Sequence, residues 1–191
     1  MPTDRHTRLA SDYRGMLAIQ DRPYLSWIVT KGDLPCAEEY LLNIRLRTYA
    51  FRMKDGVCTV GAIRRCTVRV TLYPSYPYVA PCVRMLDIPP VFHPDWFSKG
   101  SYCPPAPWTP DTSLKDFILT MLGSLRYDPE LIGDSSPANF KALEWYQANR
   151  GRAELFPSDP TVLSENDPDR IAVLEQSAED FTEIADRWSI R

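Results

Sequence analysis

Three short pieces of the chain, Tyr73-Pro74-Ser75-Tyr76-Pro77, His93-Pro94-Asp95 and Gly100-Ser101-Tyr102-Cys103, decide how the rest is read. They lie in and beside a stretch where Pro89, Pro90, Pro94, Pro104, Pro105, Pro107 and Pro110 fall within 22 residues. Proline fixes φ and removes an amide donor, so this segment must be a stiff irregular crossing. A flexible linker would share the proline content, but Phe92, Trp96, Phe97, Tyr102 and Trp108 are interleaved, and such aromatics anchor a loop to a core. Irregular segments held on a rigid scaffold are where sites are usually built. Cys103 follows His93 by ten residues, and the prolines around it hold its loop against collapse into the core. An accessible thiolate is both an attacking species and a leaving group. No His or Lys adjoins Cys103 in the chain, which argues against a protease-like nucleophile with a paired base. A redox or metal-binding thiol protein lacks any supporting ligand cluster.

Composition limits the alternatives. A chain of 191 residues is one ordinary domain plus extras. With 44% apolar and 12% aromatic residues it can bury a core, which excludes global disorder. A formal charge of -3 and a pI near 5.4 offer no long-range attraction for phosphate backbones or anionic lipid. Nucleic-acid and membrane partners are therefore not expected. Residues 1–20 are polar and charged, and no run of about 18 apolar residues occurs, so a cytoplasmic protein is expected. The five cysteines, Cys36, Cys58, Cys66, Cys82 and Cys103, lack CxxC spacing, so they predict reduced thiols and no structural metal.

Leu9, Tyr13, Met16, Leu17 and Gln20 predict a first helix of about four turns capped by Asp4 or Thr3. Arg5, Arg8 and Arg14 fall off that stripe and are expected in solvent. From Trp27 to Leu86 the pattern alternates. Tyr40 to Phe51, Val57 to Ile63, Cys66 to Leu72 and Val79 to Leu86 predict four antiparallel strands in a meander. Within the third, Cys66, Val68, Val70 and Leu72 share the core face. Leu114, Phe117, Ile118, Met121, Leu122 and Leu125 predict a buried helix over Ser113 to Tyr127 behind a Thr112 or Ser113 cap. Another starts at Ser136-Pro137-Ala138-Asn139, with Phe140, Leu143, Trp145 and Tyr146 as apolar positions and Pro137 in its first turn. Residues 1–150 thus form one α+β domain and 151–167 a polar linker. Residues 168–191 form a C-terminal amphipathic helix bearing Ile171, Leu174, Ala178, Phe181, Ile184 and Trp188, with Glu175, Glu179, Asp180, Glu183 and Asp186 on its acidic flank. That apolar face needs a partner, either its own domain or another protein.

The tyrosine-proline turn, the His93-Pro94-Asp95 tripeptide and Cys103 at its ten-residue spacing resemble the active-site half of a ubiquitin-conjugating enzyme. The order of elements over residues 4–150 is also similar to that of a conjugating domain. In that family a cysteine so placed accepts the C-terminal carboxyl of a ubiquitin-like modifier as a thioester from an activating enzyme and yields it to an amine of a target protein. The resemblance implies Cys103 as the thioester nucleophile, a structural His93 in the active-site loop, and no cofactor, ATP being used only by the activating enzyme. It also implies activating-enzyme docking by basic residues of the first helix, here Arg5, Arg8 and Arg14.

Two departures stand out. Family members carry asparagine where this chain has Asp95, and an ionised carboxylate has no proton to donate to a developing oxyanion. Asp95 either accepts loop amides in a structural role or helps to deprotonate an incoming lysine. After the cysteine, Pro104-Pro105 replaces the usual Leu-Asp and Trp108 arrives early, so the customary lysine-orienting acid is missing. Asp128 and Asp134 fall where the family also places acidic residues, and Asp134 is the candidate lysine-facing group. Such departures are of the kind found in the divergent proteins of bacterial ubiquitin-like conjugation operons linked to phage defence. The alternative is a noncatalytic module of the same fold that binds a ubiquitin-like protein, although inactive variants characteristically lack the cysteine.

Overall fold

The computed structural model describes residues 4–156, apart from positions 21, 55, 56, 134 and 154. Most of the expected linker, the whole C-terminal helix and Asp134 lie outside the described residues. Helix α1, Arg5–Leu17, starts where the Asp4 side chain accepts the Thr7 amide at 3.4 Å, an N-cap that Asp favours. Its buried stripe is Leu9, Asp12 and Met16, continued by Ile19. Leu17 is 42% exposed and Gln20 faces solvent, which corrects the expected face. The cause is Asp12, a buried carboxylate that any hydrophobicity pattern scores as surface.

Strands β1 (Leu25–Lys31), β2 (Glu39–Ile44), β5 (Cys66–Thr71) and β6 (Cys82–Met85) form the expected four-stranded antiparallel sheet, in the order β1-β2-β5-β6. Its membership differs from the expected meander. The apolar run from Tyr40 breaks after Ile44, and β3 (Thr48–Lys54) pairs with β4 (Val57–Ile63) as a separate hairpin inserted between β2 and β5. Alternation alone cannot separate one long strand from two with a corner between them. The hairpin leans on the crossing segment, where Ala50 bridges Val91 and the Phe92 amide donates to the Tyr49 carbonyl at 2.7 Å.

One face of the sheet presents Leu25, Trp27, Leu42, Ile44, Cys66, Val68, Val70, Val83 and Met85 to the core. Helix α2, Leu114–Leu125, lays Leu114, Ile118, Met121, Leu122 and Leu125 into the same core behind its Ser113 cap. Each of these side chains contributes about 2 kcal/mol by burial. Helix α3, Phe140–Asn149, is capped by Asn139, so Pro137 precedes it and does not occupy its first turn. It buries Ala142, and places Leu143 and Tyr146 in a second cluster with Tyr49, Tyr127 and Ile132, whereas Phe140 is 70% exposed. Leu155 and Phe156 pack on this cluster, and the Tyr49 hydroxyl donates to the Leu155 carbonyl at 2.7 Å. Among the described residues no helix is long and apolar enough to cross a membrane.

Asp12 ties these layers together. Its Oδ1 accepts the Leu114 amide (2.9 Å), one of the first-turn donors that a helix cannot satisfy itself. Its Oδ2 accepts the Tyr76 hydroxyl (2.6 Å) and Arg8 Nε (2.7 Å). The Arg8 guanidinium also donates to the Tyr76 hydroxyl and to the Pro110 and Thr112 carbonyls. The Arg8 side chain is only 12% exposed, so the expectation of a solvent-facing Arg8 is corrected: its charge is consumed by Asp12 and its donors by the loop that leads into α2. Asp12→Asn should destabilise the fold by about 3 kcal/mol in urea unfolding, because it leaves a largely buried guanidinium without its counter-charge. Tyr76→Phe, which removes one hydroxyl and keeps the ion pair, should cost about 1–2 kcal/mol.

Candidate active site

The crossing segment is held from beneath by the last turn of α2. His93 is fully buried; its Nδ1 accepts the Asp95 amide (3.0 Å), so Nε2 carries the proton and donates to the Ser124 carbonyl (2.7 Å). Burial pushes the imidazole down to about 3, against a weaker upward pull from the Ser124 carbonyl. The 4.0 Å approach of His93 Nδ1 to Asp95 Oδ2 is therefore not an ion pair, since the ring is neutral and that nitrogen is occupied by an N–H.

Asp95 is 3% exposed. Its Oδ2 accepts the Ser124 hydroxyl (2.7 Å) and its Oδ1 accepts the Gly133 amide (3.3 Å). Its backbone carbonyl accepts the Cys103 amide at 2.8 Å. Ser124 thus binds His93 through its carbonyl and Asp95 through its hydroxyl, and Asp95 in turn holds the cysteine's backbone. A Cβ placed on Gly133 would meet Asp95 Oδ1 at 3.5 Å and the Pro105 Cβ at 3.8 Å, so the segment after α2 lies against both the aspartate and the post-cysteine loop.

The approach to Cys103 is pinned onto the sheet edge. Met85 donates its amide to the Gly100 carbonyl (2.7 Å), Tyr102 donates to Val83 (3.2 Å), and Trp96 bridges Tyr102. Gly100 takes φ +86°, and a Cβ there would stand 3.1 Å from the Met85 carbonyl oxygen, so both the backbone angle and the space require glycine. Beyond the cysteine, Trp108 donates its indole N–H to the Pro77 carbonyl (2.7 Å) and packs on Tyr76 and Phe117. The tyrosine-proline turn and the post-cysteine loop, far apart in sequence, meet through that ring. Cys103 itself is half-exposed.

Helix α2 ends on Tyr127 at φ +62°. The Asp128 amide reaches the Gly123 carbonyl (3.2 Å) and the Tyr127 amide the Ser124 carbonyl (2.7 Å), which is the Schellman pattern. Glycine usually occupies the left-handed position, and a side chain there costs about 1–2 kcal/mol. Tyr127 offsets this by packing on His93 (4.4 Å between ring centres), Tyr49, Tyr146 and Phe156, and by donating its hydroxyl to the Phe92 carbonyl.

The structure brings His93, Asp95 and Cys103 together. Of the remaining sequence candidates, Arg5 pairs with Glu38 (2.9 Å) and donates to the Leu72 carbonyl, Arg14 is exposed, and Arg8 is turned inward. Asp128 caps a single 3-10 turn by accepting the Glu130 amide, while Asp134 is outside the described residues. Sequence reasoning missed Ser124, Gly133 and Tyr127. The only trace of Ser124 is a polar residue inside the apolar run that ends at Leu125. Cys66 is buried and burial pushes its thiol up, whereas Cys36 is half-exposed and Cys82 exposed.

No protein-family model matches the chain, and no curated protein does. Among solved structures, the chain is similar to a protein of Plasmodium yoelii assigned as a ubiquitin-conjugating enzyme, with a TM-score of 0.51 and 16% identity over 79% of this chain and 88% of that one. The fold is that of ubiquitin-conjugating domains. Two further solved structures are a ubiquitin-conjugating enzyme domain from Toxoplasma gondii (TM-score 0.48, 14% identity, 78% of this chain and 90% of that one) and a ubiquitin-conjugating enzyme from Agrocybe aegerita (TM-score 0.44, 18% identity, 63% and 81%).

Two outcomes follow from this geometry. Asp95→Asn can keep its Oδ1 on the Gly133 N–H and donate its NH₂ to the Ser124 oxygen, but the Ser124 hydroxyl then loses its carboxylate acceptor, which should cost about 1–2 kcal/mol in denaturant unfolding. His93 is neutral in the folded state and protonates near 6.5 when unfolded, so between these values the unfolded chain binds the extra proton. Stability should then fall as pH drops from about 6.5 toward 3, by up to about 1.4 kcal/mol per pH unit. The difference in melting temperature between wild type and His93→Gln should narrow across that window; an unchanged difference would contradict a buried neutral histidine.

Proposed function

We propose that this protein accepts a ubiquitin-like modifier from an activating enzyme as a thioester on Cys103 and transfers it to an amine of a target protein. The observation that carries the reading is a half-exposed cysteine whose backbone is fastened to a buried His93-Ser124-Asp95 network within a ubiquitin-conjugating fold. In the first step the Cys103 thiolate attacks the carbonyl of the modifier's thioester on the activating enzyme, and that enzyme's thiolate leaves. In the second an amine attacks the new thioester, loses a proton, and Cys103 leaves as thiolate. Both ring nitrogens of His93 are engaged in the interior, so this histidine is not available to activate water. A relay gains from that, because hydrolysis would waste the thioester. ATP would be spent by the activating enzyme and not here.

In this reading Asp95 serves as an acceptor that holds the loop, since both carboxylate oxygens are bonded beneath the surface. Asp134 remains the proposed lysine-facing acid. Its support is the bond from the preceding Gly133 to Asp95 and the closeness of Gly133 to Pro105. Docking of the activating enzyme on α1 would draw on Arg14, with Arg5 partly committed to Glu38.

The test incubates the protein with an activating enzyme, its ubiquitin-like modifier and ATP, and compares reducing with nonreducing gels. Wild type should show a thiol-sensitive adduct, Cys103→Ser a thiol-resistant ester and Cys103→Ala none. Asp95→Asn should still discharge to free lysine at the wild-type rate, and a selective loss of discharge would instead assign Asp95 to proton handling. The absence of any adduct, with a modifier proven competent on its activating enzyme, would favour the noncatalytic binding module.

A further inference from the structure

Beside the crossing segment, the inserted hairpin and the start of α3 enclose an open groove of about 460 Å³, lined by Phe51, Phe92, Ala138, Asn139, Phe140 and Lys141. Phe51 is 39% and Phe140 70% exposed; both are apolar positions of the sequence pattern, and although Phe51 packs on Phe92, both keep large apolar areas in solvent. The sequence pattern predicts a second apolar face in the same chain, the stripe of Ile171, Leu174, Phe181, Ile184 and Trp188. We infer that residues 168–191 of this chain are the occupant of this groove, docking in cis with their apolar face against Phe51 and Phe140.

Three observations support this occupant over another protein. The last described residues connect to the groove through aromatic rings. The Phe156 ring lies 5.6 Å from Trp145, Trp145 lies 6.1 Å from Phe92, and Phe92 lies 4.3 Å from Phe51 at the groove itself, so Phe156 ends a continuous row of aromatic contacts that starts in the groove. Residues 157–167 reach about 35 Å when extended, ample for that distance. The charges also match: exposed Lys141 lies in the groove lining and exposed Lys99 follows Ser98, another lining residue, while the tail carries Glu175, Glu179, Asp180, Glu183 and Asp186 beside its stripe. A short tether supplies an effective concentration of about 1 mM, so even a weak intrinsic dissociation constant of about 0.1 mM would keep the tail seated roughly ten-fold more often than free. This inference is independent of the thioester chemistry.

Amide hydrogen exchange by mass spectrometry on the full chain tests it. Residues 171–188 should exchange about ten-fold faster in Phe140→Asp than in wild type, matching the seated fraction set by the tether. The same peptides should respond to Phe181→Asp, and in that variant the peptides around Phe51 and Phe140 should lose protection too. Phe140 is mostly in solvent, so its substitution should leave exchange in α2 unchanged. Equal tail exchange in wild type and both variants would overturn the inference, whether the tail is free or seated elsewhere. Protection that rises with protein concentration would overturn it in favour of a second copy.

Discussion

The bond from His93 Nε2–H reaches the Ser124 carbonyl in the last turn of α2, an oxygen that also accepts the Tyr127 amide at 2.7 Å. The carbonyl's two lone pairs thus take one donor from the helix's own terminal turn and one from a side chain of the crossing segment, and that side chain is sealed in the core. Once the imidazole is fixed, its other nitrogen fixes the Asp95 amide, and the Ser124 hydroxyl fixes the Asp95 carboxylate. The Asp95 carbonyl then fixes Cys103. The half-exposed thiol therefore hangs from the interior by a short chain of hydrogen bonds, each made by a group whose other bonds are already committed. In a region with few backbone donors of its own, this replaces the ladder that a strand would have provided.

The helix terminus needs support in turn, and receives it from Tyr127. A left-handed tyrosine is unfavourable by itself, yet its ring links His93 to the second aromatic cluster formed by Tyr49, Tyr146 and Phe156. The inserted hairpin supplies Tyr49 and also takes the Phe92 amide, so it braces the crossing segment just before His93. On the opposite side, Asp12 joins α1, the tyrosine-proline turn and the start of α2, while Arg8 gathers the end of the post-cysteine loop. Both ends of the irregular segment are thus tied by buried polar groups, and its middle by Trp96, Tyr102 and Trp108.

Much of this frame is legible in the sequence. The alternation of Cys66, Val68 and Val70 placed the core face of β5, the spacing from Leu114 to Leu125 placed α2, and the prolines placed the crossing. The misreadings share one cause. The apolar pattern of α1 passes over Asp12 and turns the expected face toward Leu17; it expects Arg8 as a solvated charge and counts Phe140 among the apolar positions of α3. Periodicity reports the average partner of a residue type and is silent where a charge is met by another charge, or where an apolar side chain stays mostly in solvent. The corner after Ile44 was invisible for a related reason, since a strand that leaves its sheet keeps its alternation.

The sequence by itself determined the order of helices and strands, the irregular proline-bound crossing and a cysteine ten residues beyond a histidine, because these depend on local propensity and spacing along the chain. Only the tertiary structure decided that Asp95 turns inward to Ser124 and Gly133, that Ser124 matters at all, and that Arg8 is an internal tie. The carboxylates of Asp12 and Asp95 are acceptable in the core only when donors reach them; Asp12 finds one locally, in Arg8 four residues away, but the others come from 64 and 102 residues away for Asp12 and from 29 and 38 for Asp95. No local pattern encodes a partner that distant; it exists only once the chain has closed.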